Sequence, residues 1–208
     1  MKKRLLSAIL SFCMLLTMAP TVAFAADGDD EAAPQINSVR EGSCGSKDSA
    51  DSVKWALTDD DGDGSYTLTI SGSGAMVDYT VNINNAKATQ PWRAGATGVE
   101  IEKITNVVVS DGVTSIGAFA FNGLTGVSEY DIGANVNTIN QWALETSAAK
   151  VFNLNGNTNF KTDDDGVLFN KEGTTLIAYP GGSDVRDEYT VPSAVTAIAD
   201  GAFVGCPI

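Results

Sequence analysis

Between Val107 and Leu124 the chain reads VVVSDGVTSIGAFAFNGL, with apolar side chains at 107, 109, 113, 116 and 121 and a polar interruption at 110 to 112. The pattern recurs as YDIGANVNTINQWALETS from Tyr130 to Ser147 and as YTVPSAVTAIADGAFVGC from Tyr189 to Cys206. Superposed without gaps, the copies share Val113/Val136/Val195, Ile116/Ile139/Ile198 and Ala120/Ala143/Ala202. Val109/Ile132/Val191 and Phe121/Leu144/Phe203 keep their apolar character. Val136 follows Val113 by 23 residues, and Val195 follows Val136 by 59. Repetition at such a period marks a solenoid, in which each unit buries its apolar side against its neighbours. The pattern predicts a mainly β fold: a short solenoid of about 23-residue coils with a β-hairpin insertion, preceded by a small β-rich N-terminal capping module.

Alternation within the first strand of a copy points residues 107 and 109 inward and Val108 outward. Val113 and Ile116 form a second apolar pair, and Ala120 is small where the coil packs tightly against the ring of Phe121. The wider second spacing exposes one altered coil. Val151-Phe152-Asn153-Leu154 takes the place of its strand, and the chain then makes an excursion over about 155–182. There Val167 to Phe169, the turn Asn170 to Gly173, and Thr174 to Tyr179 read as strand, turn and strand. Insertions from a coil often carry contacts, which makes Phe169, Lys171, Glu172 and Tyr179 the candidate binding residues. The preceding Asp163-Asp164-Asp165-Gly166 reads as a solvated turn.

Ahead of the repeats (102–208), residues 43–101 form the capping module. Val53, Trp55 and Leu57, and then Tyr66, Leu68 and Ile70, alternate with polar residues as in half-buried strands. Trp92 is placed to plug the open end of the first coil. Between the strands lies TDDDGDGS, where Asp59, Asp61, Asp63 and Gly64 fall on the first, third, fifth and sixth places of a calcium loop. These three aspartates are the candidate metal ligands. The twelfth place, which calls for a bidentate Glu, is Ile70, so an Asp- and Gly-rich hairpin turn accounts for the same residues. Ser71-Gly-Ser-Gly-Ala75 lacks the downstream Lys of a phosphate loop and reads as a turn.

The first residues change the picture differently. Lys2, Lys3 and Arg4, an uncharged apolar run and Ala23-Phe24-Ala25 make residues 1–25 a signal peptide cleaved after Ala25, so export is expected and no membrane insertion follows cleavage. An uncleaved anchor is the rival, because the run approaches spanning length. Residues 26–42 read as a disordered linker. Past the signal there remain 10 Lys+Arg against 26 Asp+Glu, a net charge near −16. Such a surface repels nucleic acid and anionic lipid and favours a soluble monomer. With no histidine in the chain, the commonest general base and metal ligand is missing. Cys44 and Cys206 fall at opposite ends of the array, too far apart for the roughly 7 Å Cα limit of a disulfide, so two separate thiols are expected, with Cys206 in a small buried slot.

Val191-Pro192, Val195-Thr196-Ala197-Ile198 and Gly201-Ala202-Phe203-Val204-Gly205-Cys206 resemble the BspA-type leucine-rich repeat motif, as do Val113 to Gly117 with Ala120-Phe121. Leu124, Ser147 and Leu144 depart from it. Cys44-Gly45, Trp55 to Leu57, Leu68 to Gly72 and Pro91-Trp92 are similar to the module that precedes such repeats. The resemblance implies a bacterial secreted or cell-surface protein, with adhesion to an extracellular protein or glycan as its role, no cofactor and no catalytic residues to carry over. Two other readings stay open. One is an extracellular carboxylate-dependent hydrolase of glycosidase type, for which no opposed buried acids are visible. The other is a structural spacer of a larger surface protein.

Overall fold

The computed structural model describes residues 40–47, 50–82, 87–93, 97–145, 148–182 and 188–206. The expected signal peptide and residues 26–39 of the expected linker lie outside them. Among the described residues no helix is long and apolar enough to cross a membrane. The chain is mainly β, with a single-turn 3-10 helix at Ile101–Lys103. Its strands are β1 (Glu41–Ser43), β2 (Val53–Thr58), β3 (Tyr66–Gly72), β4 (Gly74–Ala75), β5 (Val81–Asn82), β6 (Lys87–Ala88), β7 (Ile104–Val109) and β8 (Val113–Ile116). There follow β9 (Glu129–Ile132), β10 (Thr138–Ile139), β11 (Val151–Asn153), β12 (Phe160–Thr162), β13 (Leu168–Asn170), β14 (Thr175–Ala178) and β15 (Ala197–Ile198).

One sheet runs β1-β2-β3-β7-β9-β11. Its first three strands are antiparallel, and from β3 onward every pairing is parallel. Leu68 faces Val107, Val107 faces Tyr130 and Tyr130 faces Phe152, each at most 5 % exposed. Ile70, Val109 and Ile132 make a second inward row. Identical columns therefore stack because a parallel ladder puts equivalent side chains directly over one another. A second sheet, β10-β8-β4, repeats the stacking for the second strand of each unit, with Ile116 beside Ile139.

The capping module is not separate from the repeats. Strands β3 and β4 serve as an additional unit ahead of β7 and β8, and the core continues without a break from Cys44 to Ala178. The glycine turn after β3 lies on the first repeat's turn, where Gly74 N–H donates to the Gly112 carbonyl at 3.0 Å. Trp92, 0 % exposed, joins the two parts: its ring meets Trp55 at 6.0 Å, Tyr79 at 5.3 Å and Phe121 at 6.1 Å between centroids. The line continues from Phe121 to Tyr130 at 6.0 Å and from Tyr130 to Phe152 at 5.7 Å. The module also begins earlier than the pattern indicates, since β1 occupies Glu41–Ser43. Its inward residue is Gly42, where a Cβ would lie 2.8 Å from Trp55 Nε1, so no apolar alternation marks the strand.

The excursion differs more. Strands β12, β13 and β14 form an antiparallel meander, and β14 then pairs in parallel with β15 of the last copy. Both of its faces are covered. Leu168 and Ala178 join the main core, whereas Phe169, Leu176 and Tyr179 build a second cluster with Val167 and Ala202. In the last copy Val191 and Ile198, aligned with core residues of earlier copies, are 37 % and 53 % exposed. Phe203 is half-buried where Phe121 is fully buried. No disulfide joins Cys44 to Cys206. Burial pushes the Cys44 thiol up to about 12, against an opposing pull from Lys54. Cys206 is half-buried, not enclosed as expected.

Replacing Phe121 by Ala is expected to cost about 3–5 kcal/mol in chemical denaturation, since its ring is wholly enclosed. The aligned Phe203→Ala, at a half-exposed site, should cost distinctly less. Equal losses at the two positions would contradict this packing.

Candidate functional site

The loop Asp59 to Ser65 connects β2 to β3, and its three candidate ligands bring carboxylate oxygens within 4.8 Å of one another. The loop's own backbone uses those oxygens. Gly62 N–H donates to Asp59 Oδ1 at 2.8 Å and Gly64 N–H to Asp59 Oδ2 at 3.1 Å. Ser65 N–H donates to Asp63 Oδ1 at 2.7 Å, which holds the Asp63 carboxyl below its usual range. Gly62 and Gly64 sit at φ 74° and 84°, a left-handed conformation that glycine adopts without strain. Ile70, at the place where a calcium loop has its Glu, is 0 % exposed inside β3. The chemistry is that of a self-capped acidic turn.

The second acidic cluster also serves the fold. Asp163 accepts N–H bonds from Asp165 at 3.0 Å and Val167 at 2.8 Å, and the Tyr189 hydroxyl donates to its other oxygen at 2.7 Å. That contact fastens the excursion to the last copy. Burial, and then the bond to Asp163, push the Tyr189 hydroxyl above its usual range.

Of the four candidate binding residues, the structure separates two from the other two. Phe169 and Tyr179 are both 3 % exposed, and Tyr179 packs against Tyr189 and Phe203 at 5.3 and 5.6 Å. They are core residues, because the meander is covered on both faces. Lys171 and Glu172 are exposed at the turn. Asn170 organises that turn, its Oδ1 accepting the N–H groups of Thr174 and Thr175, both at 2.9 Å.

A larger surface carries no sequence motif. The outward side of the six-stranded sheet carries Thr67, Thr69, Asn106, Glu129, Asp131 and Asn153, none of them buried. Asn153 donates to Glu129 and to Asp131 Oδ1, and Asn155 to the same Asp131 oxygen at 3.1 Å. Parallel stacking thus sets Asn153 directly beside Asp131 on the neighbouring strand and diagonally across from Glu129. The signal was present as the polar half of each alternating strand, but the pattern alone did not say that the module's strands extend the same face.

Glu145 is a buried carboxylate, 6 % exposed, and accepts the Gly123 N–H at 3.1 Å. Its backbone carbonyl takes the Tyr130 hydroxyl at 2.8 Å. Burial pushes that hydroxyl well above the usual tyrosine range.

Residues 100–182 match the model of the BspA type leucine rich repeat region (6 copies). Copy 189–206 lies beyond the matched span. No curated protein matches the chain. Among solved structures, a leucine-rich repeat protein from Eubacterium ventriosum ATCC 27560 is similar at 22 % identity over 79 % of this chain and 57 % of that chain, with a TM-score of 0.30. Pneumococcal vaccine antigen PcpA is similar at 12 % identity over 74 % of this chain and 60 % of that one, with a TM-score of 0.39. The chain therefore spans less than two thirds of either structure.

A self-capped turn has little to gain from a cation. Melting in calcium and in chelator should agree within about 1 °C, because a ligand bound only to the folded state raises its stability. A calcium-dependent rise that Asp59→Asn abolishes would restore the metal site.

Proposed function

We propose that this chain, a BspA-type leucine-rich repeat protein over residues 100–182, is a non-catalytic, exported bacterial surface protein that binds an extracellular protein or glycan. The repeats act as a solenoid of about 23-residue coils. Supporting that geometry, equivalent residues Val107 and Tyr130 pair across 23 residues and Tyr130 and Phe152 across 22. The observation that carries the functional reading is the outward face of the six-stranded sheet. It presents two levels of outward side chains from β3 to β11, Thr67, Asn106, Glu129 and Val151 and then Thr69, Val108, Asp131 and Asn153, on a backbone held rigid by the buried columns beneath. Rigid presentation lowers the ordering cost of binding.

Export rests on the signal sequence in residues 1–25, and a partner outside the cell follows from it. Nucleic acid is disfavoured by 26 acidic against 13 basic side chains. The hydrolase reading has less support. A retaining glycosidase needs two carboxyls about 5–5.5 Å apart flanking a bound sugar. The aspartates at 59, 61 and 63 do cluster, yet they sit on a turn and are bonded to its backbone. Glu145 is buried, but its carboxylate is bonded to a neighbouring turn.

The test is a binding screen of the chain against extracellular-matrix proteins, glycans and bacterial surface material. Saturable binding to a panel member is expected. It should weaken at least about tenfold in Thr69→Arg and Val108→Arg, which crowd adjacent positions of the face. Lys171→Ala and Glu172→Ala should leave it unchanged. Loss through the latter pair would move the site to the hairpin turn, and no binding at all would favour the spacer.

A further inference from the structure

Asparagine is followed by glycine twice in the chain, at Asn122-Gly123 and at Asn155-Gly156. Such a pair is prone to ring closure, because glycine has no side chain to hinder the approach of its nitrogen to the asparagine side chain. The fold treats the two pairs differently. Asn122 is half-buried, and its backbone carbonyl accepts Arg93 Nη2. Gly123 N–H donates to the Glu145 carboxylate at 3.1 Å. Taking the proton from that nitrogen beside a buried carboxylate would set two negative charges together. A Cβ on Gly123 would lie 2.5 Å from Arg93 Nη2, so room for a ring is missing as well.

Asn155-Gly156 has none of these guards. Both residues are exposed, and a Cβ on Gly156 would meet nothing within 4 Å. Among the described residues, no hydrogen bond takes the Gly156 N–H. The pair is the tip of a two-residue turn, with φ of 46° and 83°, closed by Asn157 N–H on the Leu154 carbonyl at 2.6 Å. Asn157 is 8 % exposed, and its amide donates to the Gly133 and Val136 carbonyls at 2.8 and 2.7 Å. The base of the turn is thus anchored while its tip stands in solvent. Asn155 is tethered through Nδ2 to Asp131 Oδ1 at 3.1 Å. The turn must open for the Gly156 nitrogen to face Asn155 Cγ, and a solvated tip opens at low cost.

We propose that Asn155 is a site of spontaneous modification, converted through a succinimide to aspartate and isoaspartate, while the fold spares Asn122. The Gly156 nitrogen bonds to Asn155 Cγ, its proton passes through solvent to Nδ2, and ammonia leaves. Water then opens the ring at either carbonyl, giving aspartate at one and isoaspartate at the other. Both products replace an amide donor by a carboxylate, which at neutral pH only accepts. The bond to Asp131 is lost, and two like charges meet between β9 and the turn after β11, at the rim of the outward sheet face. The chemistry of the turn does not depend on what that face binds.

The test holds the folded chain at physiological temperature and mildly alkaline pH for several weeks and digests samples with trypsin. Cleavage after Lys103, Lys150 and Lys161 puts Asn122 in peptide 104–150 and Asn155 in peptide 151–161. Each conversion adds about 1 Da and one negative charge, and isoaspartyl methyltransferase labels the isoaspartate form. Fragmentation of each peptide assigns the residue. In the folded chain Asn155 should convert at least about tenfold faster than Asn122, since an enclosed site reacts only when it opens. In denaturant the two rates should draw together, a comparison that needs no variant. Gly156→Ala should slow conversion at residue 155 and leave Asn122 unaltered. The proposal is overturned if Asn155 stays intact in the folded chain, if Asn122 keeps pace with it, or if Gly156→Ala converts undiminished. It is also overturned if the same ratio of rates persists in denaturant, or if the added charge lies at Asn153, Asn157 or Asn159 instead.

Discussion

The line of rings from Trp55 through Trp92, Phe121 and Tyr130 to Phe152 is the contact on which the other features depend. Each ring sits on a different strand or turn, and successive centroids are 5.7 to 6.1 Å apart. Large apolar surfaces of this kind dominate core energetics, and parallel stacking delivers one to each level. Trp92 matters most because it belongs to neither a repeat nor a long strand, yet touches both sides. Tyr130 adds a polar anchor: its hydroxyl donates to the Glu145 carbonyl and receives the Glu145 N–H at 3.3 Å. A row of columns this well filled leaves the outward side chains free to vary without loss of fold.

That separation explains what could be read from the chain alone. Inward columns were legible because alternation with period two and the recurrence of the motif between copies both act on the same residues, such as Val107, Val109 and Ile132. The pairing of β3 with β7 was not, since Leu68 and Val107 lie in segments with no shared motif and a long connection between them. Strand β1 was invisible because its one inward position is glycine. Phe169 and Tyr179 stood out as exposed aromatics on a hairpin only under the assumption that the hairpin has a free face. A sheet covered on both sides buries them both, and Lys171 and Glu172 at its turn keep the exposure that was expected of all four.

The aspartate turn teaches a related lesson. Spacing placed Asp59, Asp61 and Asp63 correctly on one loop, but spacing cannot tell a carboxylate that waits for a cation from one that caps its own backbone. The bonds from Gly62, Gly64 and Ser65 show Asp59 and Asp63 capping the turn's own backbone. A cleft lined by Trp142, Asp200 and Gly201 was hidden for the opposite reason. It spans an altered coil, and only the stacking order brings these residues together. What the regular core exposes is a mostly polar sheet face, interrupted by Val108 and Val151, and one gap where the regularity is broken.

The N-terminal module is the first level of the stack and not an independent cap. Equilibrium denaturation followed both by the fluorescence of Trp55 and Trp92 and by far-ultraviolet circular dichroism tests this most directly. Coincident transitions are predicted, and Trp92→Phe should shift the midpoints of both signals together. Two separated transitions, or a shift confined to the fluorescence signal, would contradict it.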